Sequence, residues 1–396
     1  MTRTLVRSTR AFAVLFVPAL GLGCKRAPNV DAAPSAAPSA SVSAAPAHAR
    51  APELPLRENE QVEIPTGAFR AGSVPGDSGR EPEREPREVE VELGSYRIDR
   101  LPYPNRPGEA PRTGVTREEA ERLCAERSAR LCTELEWERA CKGPENDRYA
   151  GGATWDASCA TDPGRCATGF DVLAMGTALR EWTASRVELE GKPNAIARGA
   201  ARSAPPEAHR CAARTPLAPD ASHADLGFRC CAGAPNARAL PEPKTGDAFR
   251  KHRLGAERLT ALLAAEPATR ELTKDVKFFR DPDAADTVVA RGPGDRKGFS
   301  FTVAPLLWNP IAGAEFLVVT GRAGEKTSFV ATYYVLGEDN YRLASSFVMK
   351  DEPGPVALAF SNDIRPRLHF STCWGCPGET GKILFRRPER AVIVQP

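Results

Sequence analysis

The sequence predicts an α+β protein, a disulfide-rich mixed domain followed by a mainly antiparallel β domain. Three observations carry this. Eight of the eleven cysteines fall between Cys124 and Cys231, the density of a chain stapled by disulfides in an oxidising compartment. Two helix starts, Thr116 with Glu119 and Thr133 with Glu136, stand among short alternating segments in the same stretch. Beyond Phe299 the chain turns to aromatic and β-branched runs separated by Gly, Pro, Asn and Asp, the pattern of antiparallel strands.

The N-terminus reads as an export signal. Arg3, Arg7 and Arg10 precede an apolar run from Ala11 to Leu22 that ends in Gly23-Cys24, the order of a signal peptide. That run is too short to span a bilayer and contains Pro18, and no later stretch is long and apolar enough either. Leu20 to Cys24 resembles a bacterial lipobox, with Gly21 where leucine is usual. The resemblance implies a lipid anchor on Cys24 and, with Lys25 following, delivery to the outer membrane. If Cys24 carries lipid, ten cysteines remain, an even number for pairing. From Ala27 to about Leu56 the chain is largely Ala, Pro and Ser and reads as a spacer. A net charge of +3 with the signs well mixed provides no electrostatic footprint for nucleic acid. The expected organisation is a signal peptide over 1–23, a lipid-anchored linker over 24–60, a first domain over 61–234, a second linker over 235–246 and a β-rich domain over 247–396.

In the first domain, Ile64 to Ser73 reads as a short strand with turn glycines, and Glu88 to Leu93 alternates at period two as a half-buried strand should. Capping boxes then start two helices. The first sets Ala120, Leu123 and Cys124 on one face, the second Trp137, Ala140 and Cys141. Glu134, Glu136 and Glu138 are expected to be structural, because first-turn carboxylates satisfy free amides and complement the helix dipole. Between Lys142 and Gly169 the signals are sparse.

The segment Arg130-Leu131-Cys132-Thr133-Glu134-Leu135-Glu136-Trp137-Glu138 resembles the Arg-Leu-Pro-Thr-Glu-Ala-Glu-Trp-Glu block of the formylglycine-generating enzyme family, the sulfatase-modifying factors. Ile64 to Ser73 resembles that family's opening strand, Glu181-Trp182-Thr183 its Trp-Glu-Trp-Thr block, Arg198-Gly199 its Arg-Gly-Gly, and Arg210 to Arg214 with Leu226 to Cys230 its closing signature. The resemblance covers about residues 61 to 233 and implies that family's mixed α/β fold, related to C-type lectins. It also implies pairing of Cys124 with Cys230 and of Cys141 with Cys211. Cys132, in place of the usual proline, and the extra Cys231 then form a third bridge, and Cys159 and Cys166 close a local loop, among the roughly 105 pairings that eight cysteines allow.

Two departures shape the functional expectation. Catalytic members carry two copper(I)-binding cysteines just before the position of Cys211, whereas Ala200 to Arg210 holds none, and arginine, serine and a histidine do not replace soft thiolates. The family's calcium-binding Gly-Asn is also altered, since Met175 to Glu181 keeps the glutamate and loses the asparagine. Glu181 alone supplies too few oxygens, and a hydrogen-bonded structural role is expected. His48, His209, His223, His252 and His369 show no paired metal spacing, and serine nucleophile elbows are absent. Glu207 and His209 are expected in a solvated loop. No catalytic residue, metal ligand or cofactor is assigned.

In the second domain, Asp247 to Glu266 reads as a helix with Leu254, Leu259, Leu262 and Leu263 mainly on one side. The strand runs begin at Phe299, Phe316, Phe329, Tyr341, Val356, Arg367, Lys382 and Val392, with a hairpin at Gly337 to Asn340. Cys373-Trp374-Gly375-Cys376 suits a structural loop disulfide best; a redox couple and half a metal site are the other readings, although no second Cys-X-X-Cys offers zinc its remaining ligands. The expected function is therefore that of an envelope lipoprotein whose first domain is a non-catalytic binding or scaffold module. Its ligand is a glycan, a peptide or another envelope protein, and its membrane contact is the lipid anchor. The rival expectations are a cysteine oxidase acting on sulfatases and a thiol oxidoreductase using Cys373 and Cys376.

Overall fold

Two capped helices organise the N-terminal half of the computed structural model, which describes residues 55–189, 191–361 and 367–395. Cys24 and the signal-like run lie outside the described residues. In α1 (Arg117–Ala125) the Thr116 hydroxyl accepts the Glu119 amide, but the Glu119 carboxylate turns away to Arg112 at 2.6 Å, so only half of the expected box forms. In α2 (Glu134–Lys142) the box at Thr133 is complete. All nine residues of α2 are buried, charged ones included, where an amphipathic helix was expected. A short α3 (Ser158–Thr161) and a turn of 3-10 helix at Pro163–Arg165 are the helical structure described between Lys142 and Gly169.

Strand Cys230–Ala232 ties this half together. It lies antiparallel between Tyr96–Asp99 and Arg130–Leu131, with Gln61–Ile64 outside Tyr96–Asp99. A second sheet runs in the order Arg214–Leu217, Lys192–Gly199, Arg180–Leu189, Leu226–Phe228, its last pair parallel. The strand expected from Ile64 to Ser73 is split at Pro65, which lacks an amide donor; Gly67–Ala71 instead pairs with Val89–Leu93. Because side chains alternate along a strand, Cys230 enters the core around Leu123, Trp182 and Phe228, while Cys231 enters the core around Ile98, Trp137 and Met175.

The C-terminal half is a sandwich of two antiparallel sheets. One runs Phe249–Lys251, Leu306–Ile311, Ala314–Ala323, Thr327–Gly337, Asn340–Lys350, with Val276–Lys277 also paired to Ala314–Ala323. The other runs Phe299–Thr302, Ala357–Ser361, Leu368–Ser371, Thr380–Arg386, Arg390–Val394. Trp308, Phe316, Val330, Leu358, Phe370 and Ile383 fill the space between them. Helix α4 (Ala256–Ala265) packs Leu259, Leu262 and Leu263 on the outer face of the first sheet, and α5 (Pro282–Arg291) packs Ala285 and Val288 near Ala357 of the second. The helix expected from Asp247 begins only after Gly255, because Phe249 pairs with Trp308 and stacks on Phe360 at 4.1 Å. Tertiary pairing overrides the local pattern there.

The two halves meet through a buried charge pair. Arg80 and Glu389, both fully buried, lie 2.6 Å apart, and Glu389 also accepts the Gly76 amide at 2.7 Å. Beside them Gly313, at φ +72°, lets its backbone come against Pro82; a Cβ there would stand 2.0 Å from the Pro82 carbonyl oxygen. Gly313→Ala is accordingly expected to cost about 2 kcal/mol or more in a urea melt. An unchanged midpoint would mean that this contact is not made in solution. The segment 235–246 runs along the same region: Leu240 is buried in the core of Ile98 and Trp137, and Glu242 meets Arg214 at 3.1 Å.

Candidate functional site

A cleft of about 690 Å³ opens where the loop after Lys192–Gly199 faces residues 79–85 and the turn at Arg387 and Pro388. Six arginines line it, each matched with a carboxylate. Arg210 makes a fork to Glu85 at 2.7 and 2.8 Å, and Arg180 one to Asp225 at 2.7 and 2.8 Å. Arg214 makes a third to Glu134, with both bonds at 3.0 Å. Arg84 pairs with Glu81 at 2.9 Å, Arg80 with Glu389, and Arg387 with Glu83. Planar guanidinium forks hold carboxylates in fixed geometry, so the wall is rigid and close to neutral. Ala200, Ala201, Ala204, Ala208 and Ala213 supply its apolar floor.

Among the described lining residues there is no cysteine, histidine, lysine or tyrosine. The segment in which the family resemblance places copper-binding cysteines is the alanine-rich side of this cleft. Cys211, next along the chain, is bonded to Cys141. This donor set does not fit copper(I), which selects free thiolates. His209 corrects the expectation of a solvated loop: it is 2% exposed and stacks on Trp155 at 4.1 Å. Its Nδ1 faces the Gly176 carbonyl at 2.8 Å and its Nε2 the Ala204 carbonyl at 3.2 Å, so the ring braces the loop from behind.

Behind the cleft lies a web of buried charges. Glu138 accepts the Gly72 amide at 2.7 Å and meets Lys142 and Arg198, each at 3.0 Å. Arg198 also reaches Glu134 at 3.0 Å. Burial alone would raise the Glu138 carboxyl, but Lys142, Arg198 and the Gly72 amide outweigh it and hold it below the usual range. Glu136 is likewise lowered, burial being outweighed by Arg130, the Thr133 amide and Asn236. Glu181 is fully buried; Arg229 takes both of its oxygens at 2.6 and 2.7 Å and the Trp137 indole N–H donates to it at 2.8 Å. Three hydrogen bonds thus engage its two oxygens.

Five disulfides are present among the described residues. Cys124 is joined to Cys230, Cys132 to Cys231, Cys141 to Cys211, Cys159 to Cys166 and Cys373 to Cys376. Sequence reasoning missed the arginine wall, whose members are spread from Arg80 to Arg387 and share no motif. It also missed Glu379, which the fold returns to Cys373 and Cys376.

The first half is thus a disulfide-stapled α+β module. Residues 102–234 match the model of the FGE-sulfatase family, described as the Sulfatase-modifying factor enzyme 1-like domain. The chain carries a domain of this family over about a third of its length. PvdO from Pseudomonas aeruginosa is a similar solved structure, with 18% identity, 46% of this chain and 99% of that chain covered, and a TM-score of 0.39. CarF shows 15% identity, coverage of 43% and 97%, and a TM-score of 0.35. Treponema denticola variable protein 1 shows 13% identity, coverage of 43% and 94%, and a TM-score of 0.34. Comparison with curated proteins found no match.

Proposed function

We propose that the chain is a cell-envelope lipoprotein, held at the outer membrane by lipid on Cys24, whose sulfatase-modifying-factor-like module binds a ligand without turning it over. The observation that carries this reading is the cleft wall. Where an oxidase needs two free thiolates, the described lining offers alanines and arginines already engaged by carboxylates. Such a surface can recognise, but its described lining has no thiolate to bind copper(I) for cysteine oxidation. Glycans, peptides and envelope proteins all remain within its reach, and a charged peptide segment of an envelope protein suits it best, because it can exchange partners with the exposed rim pair Arg84 and Glu81.

With copper, dioxygen and a cysteine-containing sulfatase peptide, the purified chain is expected to form no aldehyde; copper-dependent aldehyde would overturn the reading. A photocrosslinking residue at Ala204 is expected to form an adduct with an envelope protein in cells, lost in Arg180→Glu. Absence of any adduct, or one indifferent to Arg180→Glu, counts against binding in the cleft. Cys24→Ser is expected to release the chain from the membrane fraction.

A further inference from the structure

The loop bearing Cys373 and Cys376 is held in place by more than its disulfide. Trp374, 6% exposed, packs between Phe299 and Phe301, each at 5.0 Å, and its indole N–H donates to the Asp295 carbonyl at 2.9 Å. The Gly294 amide donates to the Trp374 carbonyl at 2.9 Å, and the approach is so close that a Cβ on Gly292 would stand 1.8 Å from that oxygen. Two successive turns follow, with the Cys376 amide donating to the Cys373 carbonyl at 3.1 Å and the Glu379 amide to the Cys376 carbonyl at 3.2 Å. They bring the Glu379 carboxylate back to the sulfurs, and one ligand atom from each of Cys373, Cys376 and Glu379 lies within 4.8 Å of the others. Across the Thr372 hydroxyl stands a second carboxylate: Glu352 at 2.7 Å and Glu379 at 3.0 Å. One hydroxyl has one proton, so it donates to one of the two carboxylates at a time.

This disulfide also differs from the other four in access. Its two cysteines are half-buried, whereas the other eight paired cysteines are at most 2% exposed. A small reductant therefore reaches Cys373 and Cys376 first.

We propose that the reduced loop is a site for zinc or a similar borderline-soft divalent cation, ligated by the two sulfurs and Glu379, with Glu352 or water completing the set. A dithiol reductant passes two electrons and two protons to the disulfide and leaves as its own disulfide; the cation then displaces both thiol protons. At zinc bond lengths tetrahedral ligand atoms lie about 3.5 to 3.8 Å apart, so the two sulfurs, freed from a bond of about 2 Å, move apart by roughly 1.7 Å, while the Glu379 carboxylate already lies within 4.8 Å of both. The Trp374 anchor keeps the ligands positioned once the S–S bond is gone. The disulfide is thus the metal-free state of a redox-gated site.

The test uses the full chain under mild phosphine reduction, with alkylation and mass spectrometry to identify the opened pair and near-ultraviolet circular dichroism to monitor the fold. Reduced protein is expected to bind one cadmium ion with a thiolate charge-transfer band and to compete for zinc with a chromophoric chelator, while oxidised protein does neither. Glu379→Gln is expected to weaken binding by at least about tenfold, roughly one carboxylate ligand's share, and Cys373→Ser to abolish it. Failure of the folded, reduced chain to bind either ion overturns the proposal. So does unchanged affinity in Glu379→Gln, or equal reactivity of all five disulfides toward the phosphine.

Discussion

Glu138→Ala is expected to destabilise the protein by about 3 to 5 kcal/mol, the cost of leaving a buried charge without its partner. Glu138 is completely buried and is the only carboxylate within ion-pair distance of Lys142 among the described residues. Removing it leaves Lys142 with carbonyl oxygens alone, and Arg198 with Glu134 and the carbonyls of Cys211 and Ala212. A urea melt by circular dichroism reads the loss; a variant within 1 kcal/mol of the parent, on the order of a surface pair, would mean that water reaches this web. The same residue sets an acid limb. Its folded pKa is lowered, so as pH falls the unfolded chain takes up the proton first. The stabilisation is complete above the ordinary glutamate value of about 4.3 and is lost as pH drops through the lower folded value. Glu138→Gln should therefore have a flatter pH dependence in that window. Asp99 acts in the opposite sense, because burial raises its carboxyl despite Arg127 and the hydrogen bond from Gln61, so the difference between parent and variant is the quantity to measure.

The second large effect is expected from Cys124→Ala/Cys230→Ala. The bridge spans 106 residues, and restricting a loop of that size in the unfolded chain contributes about 4.7 kcal/mol at 25 °C. The bridge from Cys159 to Cys166 spans seven, for which the same relation returns about 2.4 kcal/mol. Paired substitutions at the two sites, compared by thermal and urea unfolding, should fall in that order. Equal losses would show that native-state packing, rather than loop closure, dominates at Cys124, which sits fully buried between α1 and the central strand.

Local signals carried part of the fold: the capping box expected at Thr133 forms in full, and the one expected at Thr116 only in half. Thr133 and Glu136 make the reciprocal hydrogen bonds that their spacing announces, and the aromatic and β-branched run from Phe329 to Leu336 lies within strand Thr327–Gly337. Phe249–Lys251 was assigned to a helix because its strand state depends on a partner more than fifty residues away, at Leu306 to Trp308. Leu306–Ile311 is a strand outside the expected runs; it carries Pro310, which the sheet accommodates at an irregularity between Trp308 and Ile311. The short Pro-capped α5 was also missed; its Asp281-Pro282 start is a usable signal, since Asp281 caps the Asp283 amide. At the cleft, the absence of thiols was legible in Ala200 to Arg210, whereas the arginine forks were not, because each joins residues distant in sequence. Lone arginines carry no motif until the fold pairs them.

The neighbouring cysteines 230 and 231 bear on how the molecule responds to mechanical load. If tension is applied through the two ends of the chain, as happens when one end is tethered and the other is held by a partner, the pull travels from residue 124 straight across the sulfur bridge to residue 230. The 106 residues of separation between them stay off the load path. At about 3.3 to 3.6 Å per extended residue, roughly 350 to 380 Å of contour length stays locked. The side of the cleft contributed by residues 180 to 225 would keep its shape while the flanking strands are peeled away, and a single-molecule extension trace would show the missing length directly.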